Sequence, residues 1–142
     1  MFVSEQHPRS RRFADFEDDG TTGYLYLTEP NCSKIAKDCW VYNRIPAPEP
    51  SEIQSYRGLP PRAARGYAGP DAERPEPPEG SVRFLWSVDG DAVCVVIADV
   101  PSGFVVIGDG GHGGYSRHLI AESAWGKPWD EDRFRAVFGH PA

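Results

Sequence analysis

The chain reads as an α+β domain that is predominantly β: a twisted antiparallel sheet of five or six strands, arranged as meander hairpins, with a short C-terminal helix. Three observations predict this. Apolar residues recur with period two over much of the sequence, the spacing that puts every second side chain on one face of a sheet. Asp-Gly and other glycine-containing turn pairs separate those runs at hairpin distances. Good helical spacing is confined to one stretch near the C-terminus, opened by acids and closed by a glycine.

From the N-terminus, residues 12–16 and 24–27 read as a hairpin around the turn Glu17-Asp18-Asp19-Gly20, and residues 39–43 (CWVYN) as a further strand. In residues 82–88, Val82, Phe84, Trp86 and Val88 fall on one face and Arg83 and Ser87 on the other, the pattern of a half-buried strand. Asp89-Gly90 follows, a pair suited to a type I′ turn with positive φ at both central positions. Residues 92–99 (AVCVVIAD) are apolar on both faces, as a strand covered on both sides requires. Pro101-Ser102-Gly103 is then expected to turn the chain, with residues 104–107 returning antiparallel.

The helix expected over residues 131–138 has Asp130, Glu131 and Asp132 at its start, where the helix dipole favours negative charge. Phe134, Val137 and Phe138 give it one apolar stripe with which to cap the sheet. Ser51-Glu52-Ile53-Gln54 has the spacing to open one or two more turns. The 35 residues from 46 to 80 hold nine of the fourteen prolines and few residues able to build a core. They read as a proline-rich loop or insertion within a single domain spanning residues 1–142. At that length folding buries about 70% of the extended chain's surface, enough for a core without staples.

Charge and cysteine usage exclude several classes. A net charge of −6 with no basic stripe argues against nucleic acid, which requires clustered Lys and Arg. The longest apolar run, residues 92–98, is far short of the ~20 residues that cross a bilayer, so no membrane partner is expected. Ser10-Arg11-Arg12-Phe13 leads into acids and not into an apolar segment, which rejects a twin-arginine export signal. Cys32, Cys39 and Cys94 are odd in number and form no CxxC pair, so ordinary free thiols and a cytoplasmic location are expected.

The block FEDDGTTGYLY, the later WVYN, the stretch VRFLWSVDGDAVCVVIAD, and GGYSR with a tryptophan-rich tail together resemble a small bacterial family of uncharacterised proteins, a domain of unknown function. The similarity covers residues 13–43 and 82 to about 138 and leaves out the proline-rich segment. In that family an aromatic residue often follows the aspartate at the position of Asp109, and Gly110-Gly111-His112-Gly113 departs from it. The resemblance implies a shared fold and a bacterial origin, and it supplies no catalytic residue.

No constellation spells out a reaction. Gly108-Asp109-Gly110-Gly111-His112-Gly113 matches GxGxxG, but no helix opens on the glycines, so a flexible turn is favoured over a dinucleotide site and no cofactor is expected. Asp15, Glu17, Asp19 and Gly20 occupy the first, third, fifth and sixth places of an EF-hand loop, yet Tyr26 stands where the bidentate Glu belongs. His112 and His118, with Asp109 and His140, lack any spacing that fixes metal ligands on one face. No metal site and no catalytic residue is therefore assigned. No serine, cysteine or carboxylate pair has the context of a nucleophile or a glycosidase dyad.

What remains is an acidic turn beside large amphipathic rings. The expected function is a non-enzymatic protein-binding module; one concrete version is a bacterial immunity-type protein that neutralises a basic toxin or effector by occlusion. Glu17, Asp18, Asp19, Tyr24, Tyr26, Tyr115 and Arg117 are the candidate partner-binding residues, since Tyr supplies rigid contact area with a polar tip. The competing reading is a small-ligand-binding protein or enzyme that uses the loop from Gly108 to Arg117.

Overall fold

A computed structural model describes residues 1–55, 60–110 and 113–139. The β-dominated α+β class and the short C-terminal helix are both present, but the nine strands among the described residues divide between two sheets where a single sheet of five or six was expected. The first sheet runs β1 (Phe2–Gln6), β2 (Phe13–Asp18), β3 (Thr22–Thr28), β4 (Ile35–Asn43), antiparallel throughout. The second runs β5 (Val82–Trp86), β6 (Ala92–Ile97), β7 (Val100–Val106), β8 (Tyr115–Ser116), β9 (Lys127–Pro128), antiparallel except for the parallel β8–β9 pair. Period-two spacing reports that a face is buried; it carries no information about what buries it.

The two sheets cover each other. Phe16, Leu25, Leu27 and Val41 from the first interlock with Val93, Val95 and Val105 from the second. Each such side chain contributes about 1.5–3 kcal/mol on full burial, and this layer is the main source of stability. The continuous apolar run of β6 is explained by its second face: Ala92, Cys94 and Val96 pack beneath the C-terminal helix with Phe104 and Phe138. That helix, α1 (Glu131–Phe138), begins where its acids indicated, with Asp130 accepting a hydrogen bond from the Arg133 amide at 2.9 Å.

Two turns differ from expectation. At Asp89-Gly90 only Gly90 has positive φ (76°), and Ser87 pairs with Ala92 across a four-residue connection in which Gly90 N–H donates to Ser87 C=O at 3.1 Å. Val88 consequently leaves the strand and is 69% exposed. The two-residue turn with positive φ at both positions lies instead at Ala98 (49°) and Asp99 (66°), between paired Ile97 and Val100. Pro101, Ser102 and Gly103 therefore belong to β7. Val96 faces Pro101 and Val95 faces Gly103, which leaves Ser102 as the extra residue of a bulge, the place where a strand tolerates proline.

The proline-rich segment, read from composition as outside the core, forms a third layer on the outer face of the first sheet. Ala63 and Ala72 are buried there against Tyr24 and Trp40, with Tyr67 and Ala68 alongside. Asn43 anchors it. Its carboxamide accepts from Trp40 Nε1 at 2.9 Å and the Ala63 amide at 3.2 Å, and donates to Ala63 C=O at 3.1 Å. Its backbone binds Ala72 C=O and the Arg74 amide. Small alanines, which hydropathy counts barely register, make this close approach possible. Within the segment Pro50–Ser55 forms a short 3-10 helix, tighter than the α-helical turns that Ser51 suggested.

Candidate functional site

The three consecutive acids divide by strand alternation. Asp18, 4% exposed, lies inside and is fully engaged: Tyr42 donates to it at 2.6 Å, Arg44 at 2.8 Å and the Gly20 amide at 2.9 Å. It is a structural group, so its place among the partner-binding residues is corrected. Asp19 is exposed, and its Oδ1 accepts from the amides of Thr21 and Thr22, closing the hairpin turn. Glu17 projects from the outer face of β2 opposite Tyr24 and carries no hydrogen bond or ion pair among the described residues.

Tyr24 and Tyr26 stand side by side on that outer face, stacked at 5.8 Å with their planes 13° apart. Tyr24 is 6% exposed and donates its hydroxyl to Pro61 C=O at 2.5 Å. Tyr26 is half-buried. Cross-strand register places Asp15 on one side of Tyr26 and Asp38 on the other. Burial, reinforced by Glu17 and Asp38, raises the Tyr26 pKa; burial, then Asp38, does the same for Tyr24. Both rings are therefore neutral hydrogen-bonding groups at neutral pH. Pro60, Pro61 and Trp125 wall the step into a cleft of about 420 Å³ whose floor is Tyr24, Tyr26 and Asp38. Tyr67 holds Trp125 from behind, its ring 5.4 Å away.

Tyr115 and Arg117 do not join this surface. Tyr115 lies on the outer face of the second sheet, stacked 4.5 Å from Phe104, and donates to Asp109 at 3.0 Å. Burial would raise the Asp109 pKa, but the hydrogen bonds from Arg133 and Tyr115 outweigh it and leave that carboxyl below its ordinary range. Arg117 sits 4.2 Å over the Trp129 ring and donates Nε to Pro101 C=O at 2.6 Å. The seven candidate residues thus separate into one outward acidic-aromatic face (Glu17, Tyr24, Tyr26, with Asp19 at its corner), one internal acid (Asp18), and two residues on the far side of the sandwich.

The last glycine of the run and the one after it have a packing explanation. A Cβ on Gly113 would stand 2.5 Å from the Gly126 backbone, and one on Gly114 would collide with Phe104 C=O, so bare backbone is needed where β8 slots between β7 and β9. His112 and His140 lie outside the described residues. His118 is half-buried beside Arg74, away from Asp109, which Arg133 holds. Among the described residues no group of three or more His, Cys, Asp or Glu side chains converges to hold a metal ion.

Asp38 and Trp125 are the members of the outward face not selected from sequence. Asp38 is two positions from Trp40 and so shares its face once β4 is extended to Ile35; that signal was present. Trp125 carries no such signal, because it reaches Tyr67 from 58 residues further along the chain. Compared with family models, curated protein sequences and solved structures, the chain has no match. Among the described residues no helix is long and apolar enough to cross a membrane.

Proposed function

We propose that the chain is a protein-binding module that presents the Tyr24–Tyr26 face of its first sheet to a basic segment of a partner protein. The observation that carries this is the half-buried Tyr26 ring, backed by Tyr24 and flanked by Glu17, Asp15 and Asp38. An arginine or lysine laid on that ring meets its π face and at least one carboxylate together, and the proline and tryptophan walls shield the contact from water. The rings are held by packing before any partner arrives, which lowers the ordering cost of binding. A bacterial immunity-type role, blocking a basic toxin by occlusion, is one concrete form of this reading; it fits the net charge of −6.

The test uses wild type, Glu17→Lys and Tyr26→Ser as parallel baits in host lysate, followed by affinity measurements on any protein that distinguishes them. The expected partner is basic, binds wild type more tightly at low salt than at high salt, and loses at least about tenfold in affinity with either variant. An identical set of captured proteins on all three baits would overturn the proposal.

A further inference from the structure

A second cleft, on a different part of the surface, has chemistry of the opposite sign. It lies where the proline-rich segment passes the open end of the sandwich, bounded by Tyr42 and Val41 of β4, the β6–β7 turn and the residues following β8. Its volume is about 340 Å³, within the range of small-molecule sites. Three nitrogen-bearing side chains from two segments line it: Arg74 from the proline-rich segment, and the adjacent Arg117 and His118 that follow β8.

These groups have capacity to spare. The Arg74 guanidinium has no hydrogen-bond or ion-pair partner among the described residues, and neither does the half-buried His118 ring. Arg117 commits Nε to Pro101 C=O and lies over Trp129, a posture that fixes the guanidinium while leaving its two terminal nitrogens without an acceptor among the described residues. The acids on the same wall are Asp71 and Glu76, and Glu76 is turned to the Met1 amino group at 3.8 Å. Two cations then face one uncommitted carboxylate. Most of the remaining wall, including Val41, Ile97, Val100 and Pro77, is apolar.

We infer that this cleft binds a small organic anion carrying a phosphate or carboxylate group, with Arg74 and Arg117 clamping the charge, His118 supplying one further hydrogen bond, and the proline and valine wall holding the apolar part. Arginine is the side chain suited to this, because its planar fork matches the spacing of carboxylate and phosphate oxygens. A neutral imidazole retains one N–H to donate, and burial together with Arg74 keeps His118 neutral to below its ordinary value of 6.5. The groups facing that ring are Arg74 and Arg117, which disfavour its protonation, and Asp71, which favours it. This site is independent of the Tyr26 face and uses only Arg117 from the loop singled out in the sequence.

The experiment is a titration of the full chain with phenyl phosphate, benzoate, inorganic phosphate and neutral benzyl alcohol, read through the ring proton resonances of His118. Saturable shifts with phenyl phosphate or benzoate are expected, and whichever binds more tightly identifies the anionic group. Inorganic phosphate is expected to bind at least about tenfold more weakly than phenyl phosphate, and benzyl alcohol not at all. Arg74→Ala should weaken binding at least about tenfold and Arg74→Lys should restore part of it, while Arg135→Ala, on the exposed face of α1, should leave it unchanged. Absence of a saturable shift with either aromatic anion, or equal affinity in wild type and Arg74→Ala, would overturn the inference. Arg74 is exposed and its side chain makes no hydrogen bond or ion pair among the described residues, so the outcome does not depend on a variant that fails to fold.

Discussion

Tyr42 reaches across Gly23 to donate its hydroxyl to Asp18 at 2.6 Å. The three residues are in register on β4, β3 and β2, and the Tyr42 ring lies where a Gly23 side chain would be, 2.5–2.8 Å from an added Cβ. Burial, reinforced by the hydrogen bond to Asp18, drives the Tyr42 pKa upward. The aspartate and the second glycine of FEDDG-TTGY are thereby explained as one structural unit.

Gly23→Ala should therefore destabilise the fold by about 1–3 kcal/mol, the usual cost of forcing extra volume into a packed site. Asp18→Ala should cost about 2–3 kcal/mol, because it leaves the Tyr42 hydroxyl and the part-buried Arg44 without their shared acceptor. Urea unfolding measures both, and Glu17→Gln should lie within about 0.5 kcal/mol of wild type in the same assay. Equal losses from Asp18→Ala and Glu17→Gln would contradict the division of inner and outer acids.

Asn43 ties the proline-rich layer to the sheet, so Asn43→Ala should destabilise by about 2–4 kcal/mol as the Trp40 indole N–H and both Ala63 backbone groups lose a buried partner. Replacing residues 51–79 by a short Gly-Ser linker should broaden or abolish cooperative unfolding, since Tyr24 and Trp40 would be uncovered. A linker variant with wild-type unfolding would show that the layer is dispensable.

Gly90 and Gly80 both have positive φ, 76° and 81°, but only Gly90 is crowded: an added Cβ would overlap His7 and stand 2.5 Å from Ser10 Oγ. Gly80→Ala should cost about 1–2 kcal/mol from backbone strain alone. Gly90→Ala should cost roughly 2–5 kcal/mol by adding the overlap to that strain. Comparison of the two melts separates the contributions, and similar values would place His7 elsewhere in solution.

Burial, then Arg74, lowers the His118 pKa below its ordinary 6.5. The unfolded chain takes up a proton near pH 6.5 that the folded chain refuses until lower pH, so the unfolded state is favoured as pH falls. Stability should decline from about pH 6.5 downward and level off below the folded pKa, and His118→Gln should flatten that part of the profile. Asp109, whose pKa is lowered, contributes stability above its unfolded value of 3.8 that is lost only as pH falls below it, outside this window. Denaturant unfolding at pH 7.5 and 5.5 for both proteins measures the difference; parallel curves would exclude His118 as the cause.

The sequence by itself determined the local structure: the hairpin strands β2 and β3, the doubly covered strand β6, and helix α1 with its cap and apolar stripe. These are properties of period, turn chemistry and capping within a window of about ten residues, and such windows contain the physics that decides them. Tyr24, Tyr26 and Glu17 were legible as neighbours for the same reason. Only the tertiary structure decided that the strands form two sheets, that Asp18 is spent inside, and that Tyr115 and Arg117 belong to the opposite side. It also decided that a proline-rich stretch supplies the third layer and contributes to both clefts. Asn43 meets Ala63 and Trp125 meets Tyr67 across 20 and 58 residues, and contacts at that range depend on how whole elements cover one another, which no local pattern encodes.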